Sequence, residues 1–242
     1  MEVLNGPKNL RTYRDKRFGM NVVLEEDSRV IIFGCGGHSR SVVDVLLSYK
    51  PGISLIFVDS QAKPKETLYG FDIITHIDSI NLPYFFAIGS NERREEICQR
   101  IGSSRLISII SPKASLGKNS HLENGLFIGN FCHIGPEAQI GGNSILNNGC
   151  IVEHEVVIGK YSHIGPRAVI SGRSRIGDRV FIGVGAVVKD SISICSNVIA
   201  GAGAVIVKDI TDPGIYVGCP AKKIKPFPHK LNSLKKDFLI CS

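Results

Sequence analysis

The chain has 242 residues, 43% of them apolar, and a formal net charge of +7, which is enough for one large domain or two modest ones. No apolar run approaches membrane-spanning length, and the basic residues form no long run except towards the C-terminus (Lys222, Lys223, Lys225, Lys230, Lys235, Lys236), so neither membrane insertion nor nucleic-acid binding is expected. Seven scattered cysteines without a Cys-x-x-Cys pair give no disulfide framework and point to a reducing, cytoplasmic setting.

Residues 1–28 mix charges and lack a signal-peptide core, and are expected to form a poorly ordered extension. Val30-Ile31-Ile32-Phe33 reads as a buried strand running into Gly34-Cys35-Gly36-Gly37-His38-Ser39. Val42, Val43, Val45, Leu46 and Leu47 then fit a helix with one apolar side. Ile53 to Val58 is a second strand, with Asp59 at its end. A strand, a glycine loop, a helix and an acid after the next strand suit a phosphate-bearing ligand. Glycines let the backbone come close, and the helix N-terminus offers free N–H groups. The dinucleotide fingerprint is incomplete, because Ser39 stands where its third glycine belongs.

Residues 60–82 read as a loop-rich excursion. Tyr84 to Ile88 is a third strand, followed by Gly89-Ser90-Asn91 and a helix starting at Arg93 and Arg94. The Gly/Asn turn falls at the carboxyl edge of a parallel sheet, where ligands collect in open α/β folds. Residues 29–110 are therefore expected to form a Rossmann-like α/β domain with a parallel sheet.

From Leu116 onward every sixth residue is apolar: Leu116, Leu122, Ile128, Ile134, Ile140, Leu146, Val152, Ile158, Ile164, Ile170, Ile176, Ile182, Val188, Ile194, Ala200 and Ile206. Against an overall 43% apolar content, sixteen consecutive hits lie far outside chance. Neither strand nor helix periodicity gives a beat of six. Short strands joined by turns do, three to a coil, and stacked coils make a parallel β-helix. The residue after each aliphatic is often Gly, expected to free the backbone to turn. The uninterrupted register predicts a little over five coils within a domain spanning 111–212. Residues 213–242 are left as a cap and basic tail.

Repeats such as Val157-Ile158-Gly159-Lys160-Tyr161-Ser162 resemble those of the left-handed β-helix, hexapeptide-repeat acyltransferases. That resemblance implies left-handed winding, a homotrimer and acetyl-CoA or another acyl-CoA as co-substrate. His154 beside Glu155 is a plausible general base, since a neighbouring carboxylate favours the imidazolium. The pair could equally be an ordinary surface His and Glu. No cluster has metal-ligand spacing, so no metal is expected. Cys150 precedes an inward aliphatic and reads as packing, as His121 and His133 read as structural or solvent-facing.

Taken together, the Gly-Gly-His loop at 36–38, the Ala-Ile-Gly-Ser-Asn turn at 87–91 and Val152-Glu153-His154-Glu155 resemble the bacterial nucleotide-sugar acetyltransferases of the sialic acid O-acetyltransferase type. That resemblance implies acetylation of an amino sugar such as the 4-amino group of UDP-4-amino-4,6-dideoxy-N-acetylglucosamine, on which members of that type act. The resemblance implies that His154 is the base and that Glu155 tunes it. It also implies that Asn147 lies near the sugar and that Gly36, Gly37, His38, Asp59 and Gly89 hold the UDP portion. Ser60 stands where relatives often carry a second acid. His163, Gly172, Val184 and Ala202 match positions lining the acetyl-CoA cleft. His154 and Gly172, eighteen apart, stack on one corner, whereas His163 is half a coil away. The site is therefore expected between subunits, with His154 from one chain and His163 from the next. Tyr216-Val217-Gly218-Cys219-Pro220-Ala221-Lys222-Lys223-Ile224 resembles the family's terminal motif. O-acetylation of a sialic-acid-like sugar, and a non-catalytic nucleotide-sugar-binding scaffold, are the alternatives.

Overall fold

The computed structural model describes residues 28–63 and 65–228. The expected N-terminal extension, apart from Ser28, and the basic tail past residue 228 lie outside the described residues. The N-terminal part is a five-stranded sheet, built from β1 (Arg29–Phe33), β2 (Ser54–Val58), β3 (Thr67–Leu68), β4 (Phe71–Ile74) and β5 (Tyr84–Phe86) in the order β3-β4-β2-β1-β5. β1 pairs in parallel with both β2 and β5, and β2 with β4. Val30, Ile31, Ile32 and Phe33 are all fully buried, as a continuous apolar run in a two-sided parallel sheet should be. Helices α1 (Gly37–Tyr49) and α2 (Asn91–Ile101) complete the unit. The Ser90 hydroxyl caps α2 by accepting from the Arg93 N–H at 3.3 Å, so the helix begins two residues before Arg93.

The stretch expected to be a loop-rich excursion is more ordered than its composition suggests. β3 and β4 form an antiparallel hairpin, and β4 extends the sheet beside β2. Tyr69 and Gly70 both take positive φ, as a two-residue hairpin loop requires.

The second part is the β-helix. Up to Ile206 its strands are two or three residues long and pair with those eighteen residues on, forming three parallel sheets, whereas the last turn is shorter and pairs Val198–Ala200 with residues sixteen on. The first strand, Ile109–Ile110, pairs with Phe127–Ile128. The aliphatic column points inward, with Ile128, Ile134, Leu146, Val152, Ile164, Ile170 and Ile182 fully buried. An antiparallel pair, Gly214–Val217 with Lys222–Pro226, closes the far end, and a repeat stack needs such a terminus.

The glycines do not act as the sequence suggested. At each corner the left-handed conformation falls on the third residue after the inward aliphatic, as at Glu137, Asn143, Glu155, Tyr161, Arg173 and Arg179. The glycine directly after the aliphatic has ordinary φ and serves proximity. A β-carbon at Gly135 would lie 2.6 Å from the Glu153 carbonyl carbon, and one at Gly141 would lie 2.7 Å from that of Gly159. Successive coils touch backbone to backbone at these columns.

The two parts share a core. Val42, Val43 and Leu46 of α1 pack with Ile107, Ile109, Phe127 and Ile145 from the β-helix side. Asn91 Nδ2 donates to the Val180 carbonyl at 3.3 Å, and Arg179 pairs with Glu95 at 3.2 Å across the same seam.

Candidate active site

His154 and Glu155 occupy the corner after the strand Ile151–Val152. Glu155 has φ 59°, which turns its side chain back towards its neighbour. Its carboxylate accepts from His154 Nδ1 at 2.9 Å. Both side chains remain about half exposed, at 41% and 51%. With Nδ1 carrying the proton, Nε2 is left as the basic nitrogen. That nitrogen lies over Gly172, one coil on, where a β-carbon would stand 2.6 Å away. Beyond Gly172 is Asp190, whose carboxyl is held below the usual carboxylate range by the Ser191 hydroxyl and then by Arg173, one guanidinium nitrogen of which donates to both carboxylate oxygens.

The second cluster sits at the carboxyl edge of the N-terminal sheet. Gly36 and Gly37 are exposed at the start of α1, and a β-carbon added to either would meet nothing within 4 Å. Gly36 has an ordinary φ of −76° and provides no side-chain cap. Neither internal packing nor backbone conformation therefore calls for glycine here. Gly34 differs: its φ is 99° and Ala87 crowds it. Asp59 faces inward along the loop, its two oxygens accepting from the backbone N–H groups of Cys35 at 2.8 Å and Gln61 at 3.0 Å. Ser60 follows it, half-buried.

His38, Gly89, Asn147 and His163 come together at the seam between the two parts. The His38 ring meets Phe127 edge-on at 5.0 Å and lies 6.0 Å from His163. His38 Nε2 is buried without a hydrogen-bond partner. Burial, then the neighbouring His163 and Arg94, push its pKa down to about 3. His163 is 9% exposed. Its Nδ1 lies 3.4 Å from the Gly89 carbonyl and its Nε2 lies 3.3 Å from Asn147 Nδ2. Burial first, then Arg94, push it down to about 4. Both histidines are neutral at neutral pH.

Two corners of the β-helix thus carry the candidate residues. His154, Glu155 and Gly172 share one. Asn147, with the exposed Val184 and Ala202 stacked one coil apart, lines the next corner. Within one chain, His163 is grouped with the N-terminal loops and Asn147, and both of its ring nitrogens are engaged there. Reading the sequence did not single out the buried Arg94 beyond placing it at a helix start. Apart from the Asn91 side chain its partners are main-chain carbonyls, which leave no mark in a sequence. Among the described residues no group of three or more His, Cys, Asp or Glu could hold a metal ion, and no helix is long and apolar enough to cross a membrane.

Comparison with known proteins bears on this arrangement. Residues 29–101 match the PglD N-terminal domain. Residues 137–172 match the bacterial transferase hexapeptide (six repeats), and 174–208 the hexapeptide repeat of succinyl-transferase. The acetyltransferase domain of PglB from Neisseria gonorrhoeae superposes with a TM-score of 0.75 at 26% identity, over 82% of this chain and 100% of that one. It has also been solved with acetyl coenzyme A. A variant of the perosamine N-acetyltransferase from Caulobacter crescentus, solved with CoA and GDP-perosamine, gives 0.73 at 27% identity, over 81% and 97%. WeeI from Acinetobacter baumannii, at 23% identity and 0.74 over 81% and 100%, shares the fold. An uncharacterized protein of Acanthamoeba polyphaga mimivirus is 35% identical over 109 residues, 43% of this chain and 22% of that protein. The chain spans less than a quarter of the curated relatives it matches. The fold is an α/β domain of the PglD type followed by a left-handed β-helix, the architecture of the hexapeptide acyltransferases.

Proposed function

We propose that the protein transfers the acetyl group of acetyl-CoA to the amino group of a nucleotide-linked amino-deoxy sugar, with UDP-4-amino-4,6-dideoxy-N-acetylglucosamine as acceptor. The observation that carries this reading is the His154–Glu155 pair, with Nδ1 committed to the carboxylate and Nε2 presented over Gly172. The sugar nitrogen attacks the thioester carbonyl and His154 Nε2 takes its proton. The carbon–sulfur bond then breaks, and CoA leaves as the thiol once a proton is returned. Glu155 stabilises the imidazolium as it forms. Positioned base catalysis of this kind is worth about 10²- to 10⁴-fold.

Support for a nucleotide sugar comes from the other edge of the molecule. Gly36 and Gly37 open at the N-terminus of α1 where no internal constraint requires glycine, and a diphosphate suits such a terminus. The Neisseria and Caulobacter structures hold acetyl-CoA, and CoA with GDP-perosamine, respectively. Val184 and Ala202 line the proposed CoA cleft. Their corner differs from that of His154 and Gly172, which supports a homotrimer with each cleft between neighbouring chains. Both substrates are cytoplasmic metabolites, and the reaction belongs there.

The test is thiol release from acetyl-CoA with UDP-, GDP- and dTDP-linked amino sugars and with free sialic acid, using wild type and His154→Ala. Transfer to the UDP-4-amino sugar that collapses in kcat far more than in KM supports the reading. Transfer only to another acceptor keeps the base and replaces the substrate. Acetyl-CoA binding with full turnover in His154→Ala removes the base assignment.

A further inference from the structure

Arg94 is the largest fully buried side chain of the described residues, at 1% exposed. A buried cation normally has a carboxylate beside it. Here every hydrogen-bond acceptor is a neutral oxygen. Nε donates to the Asn143 carbonyl at 2.6 Å. One terminal nitrogen donates to the carbonyls of Ile88 at 2.7 Å, Ser90 at 3.3 Å and Gly89 at 3.4 Å. The other reaches Asn91 Oδ1 at 2.8 Å and the carbonyls of Tyr161 at 2.9 Å and Ser162 at 3.4 Å. All five donors of the guanidinium are used. Three of the carbonyls belong to the turn after β5, and three belong to the corners of two successive coils. One planar fork therefore fastens the nucleotide-side turn to the β-helix.

The chain of contacts continues from Gly89. A carbonyl can only accept, so His163 Nδ1 carries the hydrogen in its contact with Gly89. Asn147 Oδ1 accepts from the Asn148 N–H at 2.8 Å, which turns Asn147 Nδ2 towards His163 Nε2. The ring is thus fixed as the Nδ1–H tautomer, with Nε2 as acceptor.

We propose that Arg94 is a positioning residue that holds the Ile88–Ser90 turn on the β-helix and, through the Gly89 carbonyl, fixes the tautomer of His163. Its kinetic consequence rests on the acetyl-transfer reading, and its structural consequence does not. Lysine at this position keeps the charge but loses the planar fork.

The experiment pairs kinetics with long-range proton–nitrogen NMR of the histidine rings in wild type, Arg94→Lys and Arg94→Met, with the His163 signals assigned by their loss in His163→Gln. Wild type is expected to show His163 neutral and protonated on Nδ1. Folded Arg94→Lys, checked by its melting curve, is expected to show mixed tautomers and at least about a tenfold loss of kcat at saturating substrates. A wild-type His163 protonated on Nε2 overturns the proposal, even if both variants fail to fold. A folded lysine variant with the wild-type ring pattern and turnover also overturns it. Wild type with the expected ring pattern but no transfer to any acceptor leaves this inference standing and rejects the enzymatic reading instead.

Discussion

His154 rests on Gly172: the imidazole Nε2 and Cε1 both lie 2.6 Å from where a β-carbon of residue 172 would project, with Asp190 Oδ2 3.1 Å from it on the far side. The ring of the candidate base occupies space that only glycine leaves open. Gly172→Ala should swing the imidazole outward and lower kcat by about 10²-fold, approaching the loss in His154→Ala. The flexible ring can yield, so the melting temperature should barely change. Thiol release and a melting curve on the same sample check both halves. Wild-type turnover would detach His154 from the chemistry.

Gly135 offers the contrasting case. Its missing side chain faces the backbone of Glu153 and His154 at 2.6 Å, and backbone in a paired coil cannot swing away. Gly135→Ala should cost about 1–3 kcal/mol of stability by overpacking. Denaturant unfolding measures it, and an unaltered midpoint would contradict the tight coil stacking described above.

Asp59 is expected to behave as a loop clamp. Removing its carboxylate leaves the Cys35 N–H without its acceptor, and an unsatisfied half-buried donor costs about 1–3 kcal/mol. Asp59→Ala should therefore lose stability in the absence of any substrate. Unchanged melting together with weakened nucleotide-sugar binding would assign the carboxylate to the ligand instead.

Acid sensitivity should follow from His163. Its pKa falls from the ordinary 6.5 to about 4 on folding, chiefly through burial. Below pH 6.5 the unfolded chain binds this proton and the native chain does not, so stability is complete above 6.5 and is lost as pH falls towards 4. The slope from one such group is about 1.4 kcal/mol per pH unit. His163→Gln should show a shallower decline between pH 6.5 and 5. Parallel curves for the two proteins would show that His163 does not carry this linkage.

The aliphatic column from Leu116 to Ile206 announces the β-helix because each coil must put the same side chain in the same place. His154 beside Glu155 is likewise legible, since adjacency in sequence is adjacency at a corner. The hairpin at 67–74 is hidden because its strands are too short to show alternation, although Tyr69-Gly70 is a usable signal for its turn. The role of the column glycines is obscured because their neighbours lie eighteen residues away along the stack. Arg94 is opaque for a similar reason. Its acceptors at Asn143, Tyr161 and Ser162 are distant in sequence and belong to the main chain, so any residue at those positions could supply them.

Up to Ile206 the eighteen-residue register counts the length of the β-helix in whole units. The left-handed residues, the glycines and the inward aliphatics each form three columns, and all share one period. Excising one full coil beyond Asp190 would lower the closing hairpin by a single storey and keep every remaining column in line. Losing one residue in the same stretch would rotate every later inward side chain out of its column. The span between the His154 corner and Ile206 is therefore measured in steps of one coil, and a long ligand lying along that wall would meet its far contacts at a ruled spacing.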